Sequence, residues 1–121
     1  MASPRMLVVD DESHIRVAIQ RWFQRVGFHV DAAEDGMQAV EMCEENPYDI
    51  VTMDLVMPRM DGKTAIAAIK KIHPGLPIII LTGYSTQRDT MDGCGAAIVL
   101  TKPLGMQELE AEVMKLLPQE S

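Results

Sequence analysis

The residues best suited to chemistry each close an apolar run: Asp10 and Asp11 follow Met6-Leu7-Val8-Val9, and Asp54 follows Ile50-Val51-Thr52-Met53. Thr82 closes the run from Pro77 to Leu81, and Lys102 follows Ala96 to Thr101. The set is carboxylates, a hydroxyl and an ammonium. Like charges about 4 Å apart repel by several kcal/mol at an effective dielectric near 20, so crowded carboxylates call for a cation among them. Hard oxygen donors with room for water suit Mg²⁺. An ammonium and a hydroxyl beside such an ion suit a phosphoryl group, and a carboxylate can accept that group as an acyl phosphate.

Taken singly, each feature has a plainer reading. An acidic pair after a strand is commonly a solvated helix start, with Ser13 or Asp11 as its cap. A Lys before Pro is commonly a surface residue, and Thr82-Gly83 alone is turn chemistry. What favours a site is that each falls on the last residue of a different strand in one alternating pattern. Parallel strands put their carboxyl ends on a single edge, where the ligand crevice of an open α/β sheet lies.

The elements that must do this positioning alternate along the chain. The strand at Met6 to Val9 precedes a helix over Ser13 to Val26, with Ile15, Ile19, Trp22 and Val26 at helical spacing and Gly27 as its stop. A more polar strand over Phe28 to Ala32 predicts a sheet edge. The helix from Asp35 to Glu45 turns Val40 and Cys43 inward and stops at Asn46-Pro47. After the strand ending at Asp54 and the loop to Gly62, Lys63 to His73 carries Ile66, Ile69 and Ile72. The run from Pro77 to Leu81 is a fourth strand. Ser85 to Asp92 holds a helix with almost no apolar face, Ala96 to Leu100 a fifth strand, and Gly105 to Leu117 a last helix facing inward with Leu109, Val113 and Leu116. Strict alternation implies an α/β fold with a parallel sheet, helices on both faces and right-handed crossovers.

Composition bounds the function. With 121 residues, 47% hydrophobic and 24% charged, the sequence predicts one globular domain over residues 1 to 121, its core at about 5 to 117. Eleven basic against 18 acidic residues give a net charge of −7, which argues against direct nucleic-acid binding by this domain. No run approaches the length of a membrane span, and the start lacks the apolar core of a signal peptide. Cys43 and Cys94 have no CxxC and no nearby metal-spaced His, so reduced thiols and a cytoplasmic location are expected. His14, His29 and His73 show no ligand spacing, and the ten methionines read mostly as core filler. No internal repeat or low-complexity linker is present.

The motifs LVVDDE at 7 to 12, MDLVMPRMDG at 53 to 62, LTGY at 81 to 84 and TKP at 101 to 103 resemble those of response-regulator receiver domains in bacterial two-component signalling. The likeness runs from about Arg5 to Leu117. It implies a flavodoxin-like (βα)5 doubly wound sheet of five parallel strands in the order 2-1-3-4-5, and a signalling phosphoacceptor rather than a metabolic enzyme. By matching position it makes Asp54 the phosphoacceptor. Asp11, Asp54 and the backbone carbonyl of Val56 would ligate Mg²⁺, with Asp10 acting through a metal-bound water, while Thr82 and Lys102 would hold the phosphoryl oxygens. The implied donor is the phosphohistidine of a sensor histidine kinase or phosphotransfer protein, or a small acyl phosphate. The implied consequence is control of a C-terminal output domain or downstream protein, with phosphorylation-dependent homodimers in some relatives.

Three departures fall beside the face that carries output in such domains. Val99 stands where an aromatic is usual three residues before the lysine, Leu104 stands where Phe is common, and the stretch between Thr82 and Lys102 is a couple of residues short. Val56 and Tyr84 are bulky and neither acid nor amide, so slow hydrolysis of an acyl phosphate is expected. Three alternatives fit these residues less well. A haloacid-dehalogenase-type hydrolase would want a second acid where Val56 stands, and a flavin carrier would meet repulsion from Asp10-Asp11-Glu12. A receiver fold used for docking without phosphorylation would have no need of the intact acidic set.

Overall fold

Apolar residues at alternate strand positions need cover on both faces, and the chain supplies it with helices. The computed structural model describes residues 3–54, 62–82, 98–101 and 105–117. In chain order the elements are β1 (Arg5–Val9), α1 (Ser13–Val26), β2 (His29–Ala33), α2 (Gly36–Glu45), β3 (Ile50–Asp54), α3 (Gly62–Ile72), β4 (Ile78–Thr82), β5 (Ile98–Thr101) and α4 (Met106–Leu116). All strand pairs are parallel, in the order β2-β1-β3-β4-β5. This is the doubly wound, flavodoxin-like order. The expected helix in Ser85 to Asp92, and Val56, Tyr84, Cys94, Lys102 and Leu104, lie outside the described residues.

The pleat divides the core in two. Leu7, Val9, Val51, Met53, Ile78 and Ile80 face one way, against Ala39 and Cys43 of α2 and Ala65, Ile66 and Ile69 of α3. Met6, Val8, Ile50, Ile79 and Leu81 face the other way, against Ile19 and Phe23 of α1 and Leu109 and Val113 of α4. β3 and β4 are buried along their whole length, as expected of central strands covered on both sides. β2 takes the edge, as its polarity predicted, and spans His29–Ala33 rather than Phe28 to Ala32. Phe28 belongs instead to the turn that closes α1.

That helix stop explains the shift. Gly27 has φ 114°, the left-handed region; its N–H reaches the Gln24 carbonyl at 3.2 Å, and the Phe28 N–H reaches the Phe23 carbonyl at 2.9 Å. The two rings then meet edge to face, centroids 5.1 Å apart. Phe23 is fully buried, whereas Val26, expected inward, is 39% exposed. Ile72 likewise ends exposed at the last turn of α3. At α2, Asp35 accepts the Gln38 N–H at 2.8 Å while Gln38 Oε1 accepts the Glu34 N–H at 2.7 Å, a reciprocal cap just before the first turn.

The edge of β2 is crowded with polar partners. Tyr48 donates its phenol to Asp31 at 2.7 Å, and Arg5 approaches the same carboxylate at 3.7 Å with its guanidinium 5.6 Å from the Tyr48 ring centre. Burial, and then the Asp31 acceptor, push ionisation of Tyr48 well above its ordinary range.

Candidate functional site

The parallel registers set which strand ends are neighbours. Val9 of β1 pairs with Met53 of β3, Asp54 with Leu81 of β4, and Thr82 with Thr101 of β5. One residue past the Val9 rung lie Asp10 on β1's exit and Asp54 on β3, so two acidic side chains sit on adjacent strands at one edge. Thr82 lies one rung beyond Asp54, and Lys102 follows Thr101 outside the described residues. Asp10 is 1% exposed, Asp54 8% and Thr82 1%, while Asp11 and Glu12 face solvent.

The turn out of β1 is built by Asp10. Its N–H donates to the Ala33 carbonyl at 3.2 Å, and its Oδ1 accepts the Glu12 N–H at 3.0 Å. Arg16 Nη1 donates to the Asp10 carbonyl at 2.8 Å, and its Nη2 lies 4.0 Å from Glu34 Oε1. Neither Ser13 nor Asp11 caps α1. The cap position is Glu12, whose side chain makes no capping bond, because Asp10 already supplies the acceptor that orders the turn. One carboxylate oxygen from each of Asp10, Asp11 and Glu12 lies within 4.8 Å of the others. Glu12 is thus a member that sequence spacing did not single out as a ligand, although it stands in the same acidic run. Hard, clustered carboxylate donors with exposed members fit a Mg²⁺ ion that keeps part of its water.

One polar group below this edge has no obvious structural use. Thr52, in the middle of β3 and 1% exposed, has a buried Oγ1 with no hydrogen-bond partner among the described residues. A buried hydroxyl left so costs about 1–3 kcal/mol. A cleft of about 460 Å³ lies elsewhere, between the starts of β3 and β4 and the ends of α3 and α4, lined by Tyr48, Asp49, His73 and Leu116 among others. It shares no residue with the strand-end group.

The chain matches the family model for the response regulator receiver domain over residues 6–114. It is 35% identical over 119 residues to the transcriptional regulatory protein PrrA of Mycobacterium bovis, an alignment covering 97% of this chain and 51% of PrrA. The chain therefore spans about half the length of the curated relatives it matches. Among solved structures, the response regulator TrrA of Thermotoga maritima, in complex with Mg²⁺ and BeF, superposes with a TM-score of 0.88 at 35% identity, covering 94% of this chain and 99% of that one. The chemotaxis protein CheY4 of Vibrio cholerae gives a TM-score of 0.90 at 27% identity, covering 96% and 100%. No described helix is long and apolar enough to cross a membrane. Since the family match runs from β1 into α4 and takes in every acidic strand end described above, this chain belongs to the response-regulator receiver domains of two-component signalling.

Proposed function

We propose that Asp54 accepts a phosphoryl group from the phosphohistidine of a sensor histidine kinase or phosphotransfer protein, or from a small acyl phosphate, in a Mg²⁺-dependent reaction. The observation that carries this reading is a carboxylate 8% exposed at the end of β3, beside a strand exit with acidic oxygens within 4.8 Å of one another. An Asp54 oxygen attacks phosphorus, the O–P bond forms as the P–N bond breaks, and the departing imidazole keeps its electron pair and takes a proton. Asp10, Asp11, Asp54 and the backbone carbonyl of Val56 would hold Mg²⁺. Bound there, the ion supplies positive charge against the carboxylates and the incoming phosphoryl oxygens. The Thr82 hydroxyl and Lys102 ammonium donate to those oxygens.

The consequence we propose is a rearrangement of the face around residues 83 to 105, which controls an output domain, a separate partner or a phosphorylation-dependent homodimer in the cytoplasm. Val99 is β-branched and has no ring to swing, so the coupling runs through the segment after Thr82, with Tyr84 as its aromatic. Residues 1 to 121 form the single receiver domain in this reading.

The test is labelling with a radioactive donor. Asp54→Asn abolishes acid-labile, hydroxylamine-sensitive label, and Asp11→Ala abolishes it through loss of Mg²⁺. Robust labelling of the Asn variant in the presence of Mg²⁺ would sink the assignment.

A further inference from the structure

We infer that Thr52 is a positioning residue for Asp54, its hydroxyl donating to the Asp54 carboxylate when the site is loaded; this rests on Asp54 being the phosphoacceptor.

Thr52 pairs with Val8 on one side and Ile79 on the other. Its face of the sheet is otherwise apolar at this level: Met6, Val8, Ile50 and Ile79 all contribute to the cluster under α1 and α4. A valine would fill the same volume without a polar atom to satisfy, so packing alone does not account for the hydroxyl. Its place in the strand does. Ile50 faces α1 and α4 while Val51 and Met53 face the other helices, so by alternation Thr52 and Asp54 share the Ile50 face. They are two residues apart, about 6.6 Å along the strand, and a hydroxyl on one side chain and a carboxylate on the other span that distance when they lean together.

Asp10, the other carboxylate near this face, already uses Oδ1 on the Glu12 N–H. Asp54, two residues further along the same strand, is the carboxylate within reach of Thr52. A threonine has few χ1 options, so its hydroxyl direction is set by the backbone rather than sampled. A charge-assisted bond to one Asp54 oxygen fixes rotation of the carboxylate and presents the other for in-line attack. The hydroxyl, which has no partner among the described residues, thereby gains an acceptor as the carboxylate turns into its reactive orientation.

The experiment compares wild type, Thr52→Val and Thr52→Ser as full chains, using acetyl phosphate as donor and Mg²⁺ titrated separately. Thr52→Val is expected to lower the maximal phosphorylation rate about tenfold, equivalent to ~1.4 kcal/mol of barrier. Its Mg²⁺ dissociation constant stays within about twofold of wild type, and its unfolding midpoint is unchanged or raised because an unsatisfied group is gone. Thr52→Ser, which keeps the hydroxyl, recovers the rate to within about threefold. If Thr52→Val is phosphorylated as fast as wild type, or Thr52→Ser is as slow as Thr52→Val, the inference is overturned while the assignment of Asp54 stands. A wild type that takes no label overturns the assignment itself, and the role of Thr52 with it.

Discussion

Trp22 Nε1 donates to Glu110 Oε1 at 2.8 Å, tying α1 to α4 across a sequence separation of 88 residues. The two helices cover the same face of the sheet, so this bond closes the layer between the first and last helices described. A hydrogen bond to a charged group contributes about 1.5–3 kcal/mol. Glu110→Ala is expected to lose roughly that much in urea unfolding and to change Trp22 emission, while Glu110→Gln keeps an acceptor and loses less. Unchanged emission and stability in the alanine variant would show that the bond contributes nothing.

Gly27 provides a cleaner backbone test. An added Cβ would meet nothing within 4 Å, so substitution there carries only the conformational penalty of φ 114°. Gly27→Ala should cost about 1 kcal/mol, and Gly27→Asn less, with the denaturant m-value unchanged. Equal stability of the alanine variant would mean that the helix stop re-forms in another geometry.

Cys43 sets the alkaline limit. Burial pushes its thiol up from 9.0 to about 11 in the folded chain. A group whose folded pKa is raised contributes fully below its unfolded value and loses that contribution as pH rises through the folded one. Stability should therefore fall between about pH 9 and pH 11, and Tyr48, also raised by burial, acts in the same direction at higher pH. Urea midpoints measured across that range should decline in wild type and decline less in Cys43→Ala. The native thiol should also resist a disulfide reagent until the chain unfolds.

If Asp54 carries the phosphoryl group as proposed, we infer that the side chains two after Asp54 and two after Thr82 in the sequence set its lifetime. Those two positions are Val56 and Tyr84, neither an acid nor an amide. Val56→Asn with Tyr84→Glu should shorten the phosphoryl lifetime several-fold, each tenfold step needing only ~1.4 kcal/mol. An unchanged decay rate after removal of the donor would tell against it.

How far the sequence could be read depends on which physical signal each residue carried. Strand type, order of elements and the edge position of β2 followed from apolar runs and their polarity, and α1 starts and ends at the residues that periodicity predicts. On the inward face of α1, Ile15, Ile19 and Trp22 pack against the core as their spacing predicts, whereas Phe23 takes the place expected of Val26. The spacing to Val26 was helical, but Phe23 is buried because the glycine stop folds Phe28 back onto it, a contact that helical periodicity within α1 cannot register. The pattern Phe-x-x-x-Gly-Phe was the available signal. At the strand ends, Asp10, Asp54 and Thr82 were legible because each terminates an apolar run. Thr52 was not, since a threonine inside a strand reads as ordinary β-propensity and only its missing partner marks it out.

The polar dressing of β2 also bears on how the molecule behaves at high concentration. An edge strand offers its open amides and carbonyls to any passing chain, and sheets grow into aggregates by that route. Here an intruding strand would have to desolvate Asp31, which already serves Tyr48, and push past the His29 imidazole 3.7 Å from the same carboxylate. Together with a net charge of −7, which makes like copies repel, this edge makes β2 a poor template for sheet-on-sheet polymerisation.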